Sequence, residues 1–163
     1  MHTIVLIIAK YLFVVVGLLG FIYWLTVSKH EKIRLIVFGA IVGVVTFFLV
    51  KVGAALFFDT RPFIALHVAP LYPHGADNGF PSDHTALTAF AALTIFSSSK
   101  RVGLVLLAMS VLIGLSRIIG HIHAPIDIVG SLIFAFAGYA VASMATPHIL
   151  KRMKVKHEYV SPN

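Results

Sequence analysis

The chain reads as long apolar runs separated by short polar connections. Residues 4–27 hold one charged residue, Lys10, and residues 35–58 hold one, Lys51. Residues 102–119 carry Arg117 near their end, and residues 126–150 carry Asp127 near their start. A helix that crosses a bilayer needs about 20 apolar residues, so these four runs predict four spans. The segment 84–99, rich in Ala, Leu, Thr and Phe, is shorter. A buried or re-entrant helix is the plainer alternative there, but a short fifth span sorts the charges as described below. The pattern therefore predicts an all-α polytopic membrane helical bundle of about five transmembrane helices, forming one integral-membrane domain over residues 1–163. The first run is too long for a signal-peptide core and no cleavage pattern follows it, so it is expected to be retained.

Composition sharpens this picture. Hydrophobic residues make up 59% and charged residues 12%, against roughly 45–50% apolar and about 25% charged in soluble domains. That balance excludes an ordinary soluble globular protein and a disordered chain. Without cysteine, a disulfide framework, a thiolate-held zinc and a Cys nucleophile are excluded too. Thirteen Lys+Arg against six Asp+Glu give a formal net charge of +7. In a soluble protein such an excess points to nucleic acid; here its placement matters more. With five spans, Lys29, Lys32 and Arg34, then Lys100 and Arg101, then Lys151, Arg152, Lys154 and Lys156 all fall on one side. The positive-inside rule makes that side cytoplasmic, with the C-terminus. The basic tail is expected to contact the inner leaflet, worth about 1 kcal/mol per residue, and no nucleic-acid partner is implied.

The outward connections are chemically dense. Residues 59–83 read DTRPFIALHVAPLYPHGADNGFPSD, and residues 116–127 read SRIIGHIHAPID. Arg61-Pro62 is expected to end the second span, because Pro disfavours helix at the residue before it. Pro81-Ser82-Asp83-His84 opens the third span, with Ser82 a good N-cap and the free N–H groups behind it able to hold an anion. Ser116-Arg117 ends the fourth span at the same face, and Pro125 suits the first turn of the fifth helix. Asp127 lies four residues beyond His123, near enough to hold one imidazole nitrogen. Two forked guanidinium groups with free N–H donors fit a phosphate. A neutral His paired with a carboxylate fits a nucleophile, and a second His fits an acid for the leaving oxygen. The residues point to phosphoryl transfer or hydrolysis, with no metal and no cofactor required.

These motifs resemble those of the type-2 phosphatidic-acid phosphatase superfamily. Ser116-Arg117, His123 and Asp127 match its signature SRxxxxxHxxxD, Pro81-Ser82-Asp83-His84 matches PSGH, and Arg61-Pro62 matches the end of KxxxxxxRP. Together, in order and on one face, the three are specific. Two departures stand out: the family Lys falls at Ala54, with Lys51 one turn earlier as a substitute, and Asp83 replaces the usual Gly. PSDH followed by Thr, with the RPF start, is similar to the bacitracin-resistance branch, the undecaprenyl-diphosphate phosphatases. The resemblance implies that His123 attacks the terminal phosphorus and forms a phosphohistidine, that Asp127 orients it, and that His84 protonates the leaving oxygen and later activates water. It further implies that Arg61, Arg117, Ser82 and the backbone at Asp83 hold the phosphate oxygens, with Lys51 as an additional phosphate contact. The implied partner is a polyprenyl diphosphate lipid in the bilayer, at an active site on the outer face of a bacterial plasma membrane.

Competing expectations are a phosphatase of phosphatidic acid or phosphatidylglycerol phosphate, and a small anion or lipid transporter. The transporter reading lacks a visible internal repeat and leaves the His–Asp pair unexplained. Plainer readings apply to several residues. His67 and His74 are expected to be loop residues, with lining of the entrance as their alternative, His121 packs or contacts substrate, Asp59 is a turn residue, Lys10 snorkels, and snorkelling is the plainer reading of Lys51. Asp77-Asn78-Gly79 is turn chemistry, with Asp77 and Asp83 as a lesser possibility for a divalent ion carried by the diphosphate.

Overall fold

The computed structural model describes the backbone of residues 2–160 and the side chains of residues 3–153. The described residues form six helices in the order α1 His2–Thr26, α2 Lys29–Leu56, α3 Pro62–Ala65, α4 Asp83–Phe96, α5 Lys100–Ile119 and α6 Pro125–Val160. Local signals set the starts. The Ser28 hydroxyl accepts from the Glu31 N–H at 3.3 Å, so α2 begins at Lys29, before the apolar run does. Ser99 does the same for α5 through the Val102 N–H. At α6, Pro125 occupies the first position, and Asp127 reaches back to accept from the Ala124 N–H at 2.8 Å. That return bond is half of a capping box.

Helices α1, α2, α5 and α6 are long and apolar enough to cross a membrane. Their outer faces carry Ile4, Phe21, Phe47, Phe48, Leu104 and Ile133, all exposed as lipid-facing side chains would be. Helix α4 has 14 residues, which at about 1.5 Å per residue is shorter than a hydrocarbon core. It is the inner helix, packed against α1, α2, α5 and α6. Its contact face is small and polar. Ala86, Ala89 and Ala92 are buried beside Thr85 and Thr88, and the Thr88 and Ser110 hydroxyls bond across to α5 at 2.8 Å. Small residues and interhelical hydroxyl bonds are what hold helices together in lipid, where apolar burial gives no drive.

The connection after α4 lies at the other end of the bundle from its start. Tyr23 and Ser98 hydroxyls meet at 2.9 Å, and Arg34 donates to the Ser97 carbonyl at 3.0 Å. The end of α4 therefore lies with the end of α1 and the start of α2. Lys29, Lys32 and Arg34 share one end of the bundle with Lys100 and Arg101, as the charge sorting required. Lys154 and Lys156 lie outside the described side chains.

One expectation is corrected. Arg61-Pro62 does not end the second span; α2 stops at Leu56, and Pro62 instead opens the one-turn α3. Asn78 supplies the reason. Its side-chain N–H groups donate to the carbonyls of Ala54 at 3.0 Å and Phe57 at 2.9 Å, two groups that a helix end leaves without a partner.

Candidate active site

At the end of the bundle opposite Arg34, the segments around α2, α3, α4, α5 and α6 enclose a cavity of about 280 Å³. Lys51, Arg61, His74, Asp77, Asp83, His84, Arg117 and His123 line it. The segment 117–127 builds its floor. Arg117 closes α5, and its carbonyl accepts from the N–H groups of both Ile122 and His123, at 3.0 and 3.3 Å. That turn sets His123 one helical turn before Asp127. The His123 Nδ1 lies 2.9 Å from the Gly79 carbonyl and 3.1 Å from Asp127 Oδ2. Two acceptors at Nδ1 place the proton there and leave Nε2 as the basic nitrogen. His123 and Asp127 are both buried.

Gly79 is there for space. A Cβ at this position would stand 3.1 Å from Asp127 Oδ2 and 3.2 Å from the Asp59 carbonyl. Gly130 serves the same approach from α6, where a Cβ would overlap the Phe80 ring at 2.4 Å. The loop carrying Gly79 can thus lie directly on α6.

The two arginines differ. Arg61 is buried and heavily engaged: Nε donates to Asp77 Oδ1 at 2.7 Å, one terminal nitrogen to the Ile122 carbonyl at 3.1 Å, and the other to the Asn78 carbonyl at 3.2 Å. It ties the loop to the turn that carries His123. Arg117 donates to the Ala9 carbonyl at 3.3 Å and lies against Tyr72, and its buried Nε has no partner among the described residues.

The remaining predicted residues are distributed as follows. His84 lines the cavity with its ring edge-on to Phe13 at 5.0 Å. Asp83 lines it as the first residue of α4. Lys51 lines it from α2, its ammonium 5.3 Å from the Phe47 ring centroid. Ser82 occupies the N-cap position but makes no side-chain capping bond. It is fully buried, and its hydroxyl accepts from that of Thr85 at 3.1 Å. The cavity wall runs through Pro81, Asp83 and His84 instead.

Sequence reasoning missed four participants. His74 belongs to the cavity, its ring 6.3 Å from that of His123 and perpendicular to it. Burial, then the charges of Arg61, His123 and Arg117, hold its pKa below the usual histidine range. Asn78 and Gly79 organise the loop, and Asp59 lies behind the His123–Asp127 pair. The hints of them were the Asn78-Gly79 turn signal and the place of His74 in the outward connection. His67 and His121 face solvent, both in the left-handed region at φ 54° and 58°.

A second cavity, about 410 Å³, adjoins the first. It runs between α2 and α4 past Thr46, Phe47, Leu87 and Phe90, and shares Val50, Lys51 and Asp83 with the polar site. The site thus has a charged chamber and an apolar annex that meet at Lys51 and Asp83.

A bundle of membrane-spanning helices with a His–Asp pair and two arginines at one end defines a class of membrane phosphoryl-transfer proteins, and the chain belongs to the PAP2 superfamily, whose family model matches residues 32–149. Among curated proteins it is 33% identical over 136 residues to undecaprenyl-diphosphatase BcrC of Bacillus subtilis (strain 168), covering 83% of this chain and 69% of that one. It is 32% identical over 129 residues to a Bacillus licheniformis protein named bacitracin transport permease protein BcrC, covering 78% of this chain and 63% of the relative. YbjG of Escherichia coli (strain K12) is 32% identical over 139 residues, 85% of this chain and 70% of its own length.

Proposed function

We propose that this chain is a multi-pass phosphatase of the bacterial plasma membrane. It removes the terminal phosphate of undecaprenyl diphosphate, giving undecaprenyl phosphate and inorganic phosphate. It thereby recycles the cell-wall carrier lipid and raises resistance to bacitracin. Residues 1–163 act as one membrane domain, with the Lys29–Arg34 end and the C-terminus cytoplasmic and the charged cavity on the outer face. The observation that carries the reading is the state of His123: Nδ1 is held by Gly79 and Asp127, and the ring lines a cavity that Arg117, with an unfilled donor, lines too. The name of the Bacillus subtilis relative supports the substrate.

The chemistry follows from this arrangement. His123 Nε2 attacks the terminal phosphorus, and the bond to the bridging oxygen breaks. His84 gives its proton to that oxygen as undecaprenyl phosphate leaves. The phosphohistidine ring is cationic, and Asp127 offsets its charge. A water that passes a proton to His84 then attacks phosphorus, releasing phosphate and neutral His123. Charge in the transition state spreads over the equatorial oxygens, and Arg117, the spare donors of Arg61 and the backbone at Asp83 stabilise it. Losing one such fixed donor typically costs about 10²–10³ in rate. The apolar annex between α2 and α4 suits the start of a polyprenyl tail, and Lys51 at the junction suits the second phosphate.

The test is phosphate release by the purified protein from undecaprenyl diphosphate, phosphatidic acid and phosphatidylglycerol phosphate, side by side. The diphosphate is expected to turn over fastest. His123→Ala is expected to be inactive, and His84→Ala to accumulate acid-labile phosphoprotein. Wild-type turnover by His123→Ala overturns the nucleophile, and preference for a monophosphate lipid overturns the substrate.

A further inference from the structure

Behind the His123–Asp127 pair lies a second carboxyl that the reaction above does not use. Asp59 follows the end of α2, and its backbone is fixed from both sides. Its N–H donates to Asn78 Oδ1 at 2.9 Å, and its carbonyl accepts from the Gly79 N–H at 2.9 Å. Gly79 is also the residue whose carbonyl holds His123 Nδ1. Asp59, Gly79 and Asp127 therefore form one packed layer, as the narrow space around Gly79 shows.

Each of the two carboxyls has one oxygen in use or accessible and one that is shut away. Asp127 Oδ2 accepts two hydrogen bonds, from Ala124 and His123, but Oδ1 is buried without a partner among the described residues. Asp59 Oδ2 is likewise buried without one. The two residues close on one point, with the Asp59 carbonyl and Asp127 Oδ2 standing 3.2 and 3.1 Å from the place a Gly79 Cβ would take, and the Asp127 carboxyl acts on that of Asp59 at short range. Two carboxylates cannot both stay ionised at such a distance, and an unfilled buried acceptor is costly. One proton between them satisfies both oxygens at once. The Asp59 carboxyl is held above the usual carboxylate range, by burial first and then by the Asp127 charge, with His123 acting in the opposite sense.

We propose that Asp59 is a positioning residue for the proposed nucleophile: it carries a proton that bridges its Oδ2 to Oδ1 of Asp127. The inference rests on the reading of His123 and Asp127 given above. The bridge fixes the Asp127 rotamer and leaves one negative charge behind His123, matched to the one positive charge that phosphorylation creates. Loss of the proton at high pH adds a second negative charge. That charge repels Asp127, breaks the bridge and releases the rotamer that holds His123. The groups that face Asp59 are Asp127 from α6 and His123 from the segment before it; Arg61, two residues on, is committed to Asp77.

Two readouts test it. Infrared spectroscopy of protein labelled with ¹³C-carboxyl aspartate is readable because the chain has only six acidic residues. A protonated carboxyl band is expected at neutral pH in the wild type and absent in Asp59→Asn. The second readout is the pH profile of kcat/KM. An Asn amide can still donate to Asp127 Oδ1, so Asp59→Asn is expected to stay within about 3-fold of wild type at neutral pH while its alkaline limb moves to higher pH. Asp59→Leu is expected to lose about 10–100-fold, in kcat rather than KM, the range for groups that orient a functional side chain through a hydrogen bond. Absence of the band at neutral pH overturns the proposal. So does an Asp59→Asn variant as impaired as Asp59→Leu with an unshifted profile. A band that behaves as expected in a protein that hydrolyses no lipid phosphate upholds the shared proton and overturns the phosphatase reading, so the two failures are distinct.

Discussion

Replacing Asp127 by Asn separates charge from geometry at the proposed nucleophile. Asp127 Oδ2 accepts from His123 Nδ1 at 3.1 Å and from the Ala124 N–H at 2.8 Å. An Asn oxygen in the same place keeps both bonds and removes the negative charge. The charge matters once Nε2 carries the phosphoryl group and the ring becomes cationic. Opposite unit charges about 4 Å apart attract by about 4 kcal/mol at an effective dielectric of about 20. Each 1.4 kcal/mol or so is tenfold in rate, so the charge alone accounts for a loss of about 10³. In Ser-His-Asp enzymes the same exchange costs about 10⁴, because the imidazole takes the wrong tautomer. Here the Gly79 carbonyl also accepts from Nδ1, at 2.9 Å, and holds the proton whatever stands at position 127. The expected loss for Asp127→Asn is therefore about 10²–10³. The assay is single-turnover phosphate release by purified protein, with His123→Ala setting the background. Activity within about 3-fold of wild type would show that the carboxylate charge does no work. Activity at the His123→Ala background would show that Gly79 does not hold the tautomer.

Two further predictions concern the loop 57–82. Gly79→Ala forces a Cβ to 3.1 Å from Asp127 Oδ2, and overpacking of this kind costs about 1–3 kcal/mol. A lower Tm and slower phosphate release are expected, whereas Gly75→Ala in the same loop, with no neighbour nearer than 3.7 Å, leaves both unchanged; equal effects of the two would refute the packing argument. The Arg61 guanidinium beside Asp77 holds its carboxyl below the usual carboxylate range, so the pair adds stability above about pH 4, the unperturbed value, and loses it as pH falls through the lower folded value. Because Asp77 is largely exposed, this is worth at most about 1 kcal/mol, and acid-side melting curves of Asp77→Asn are expected to lack that loss.

How much of this was legible in the sequence depends on the range of the contacts. The spans were, because a bilayer demands long apolar runs and the charges at their ends sort them. The stretch 116–127 was too, because Arg117, His123 and Asp127 meet through one turn and one capping box, all within a dozen residues. The loop after α2 was not. Asn78 reads as a turn residue, yet its side chain closes α2 more than twenty residues away, and Gly79 reaches His123 across 44 positions. His74 read as an ordinary loop histidine for the same reason, since nothing local sets its ring against His123. Asp59 sits in a stretch that favours a turn, and only the packing of Gly79 on α6 turns it toward Asp127. Ser82 shows the reverse: good local capping chemistry, but its backbone is pinned to α6 by Asp127 and Ser131 and its hydroxyl accepts from Thr85 instead.

The two arginines carry this lesson into the mechanism. By type and spacing Arg61 and Arg117 are equivalent, a pair of forks for one phosphate. The fold gives them different work. All three nitrogens of Arg61 are committed to the loop and to the turn before His123, so its loss should release the wall of the cavity as well as two spare N–H donors. Arg117 is more deeply buried, and its Nε is unfilled among the described residues. A buried guanidinium with an open donor is unfavourable unless an anion completes it. On the proposed reading, that anion is the substrate phosphate, and the cost of holding Arg117 unfilled is recovered when the phosphate binds. On that reading Arg117 is the arginine that senses substrate, and Arg61 the one that keeps His123 where the phosphate arrives.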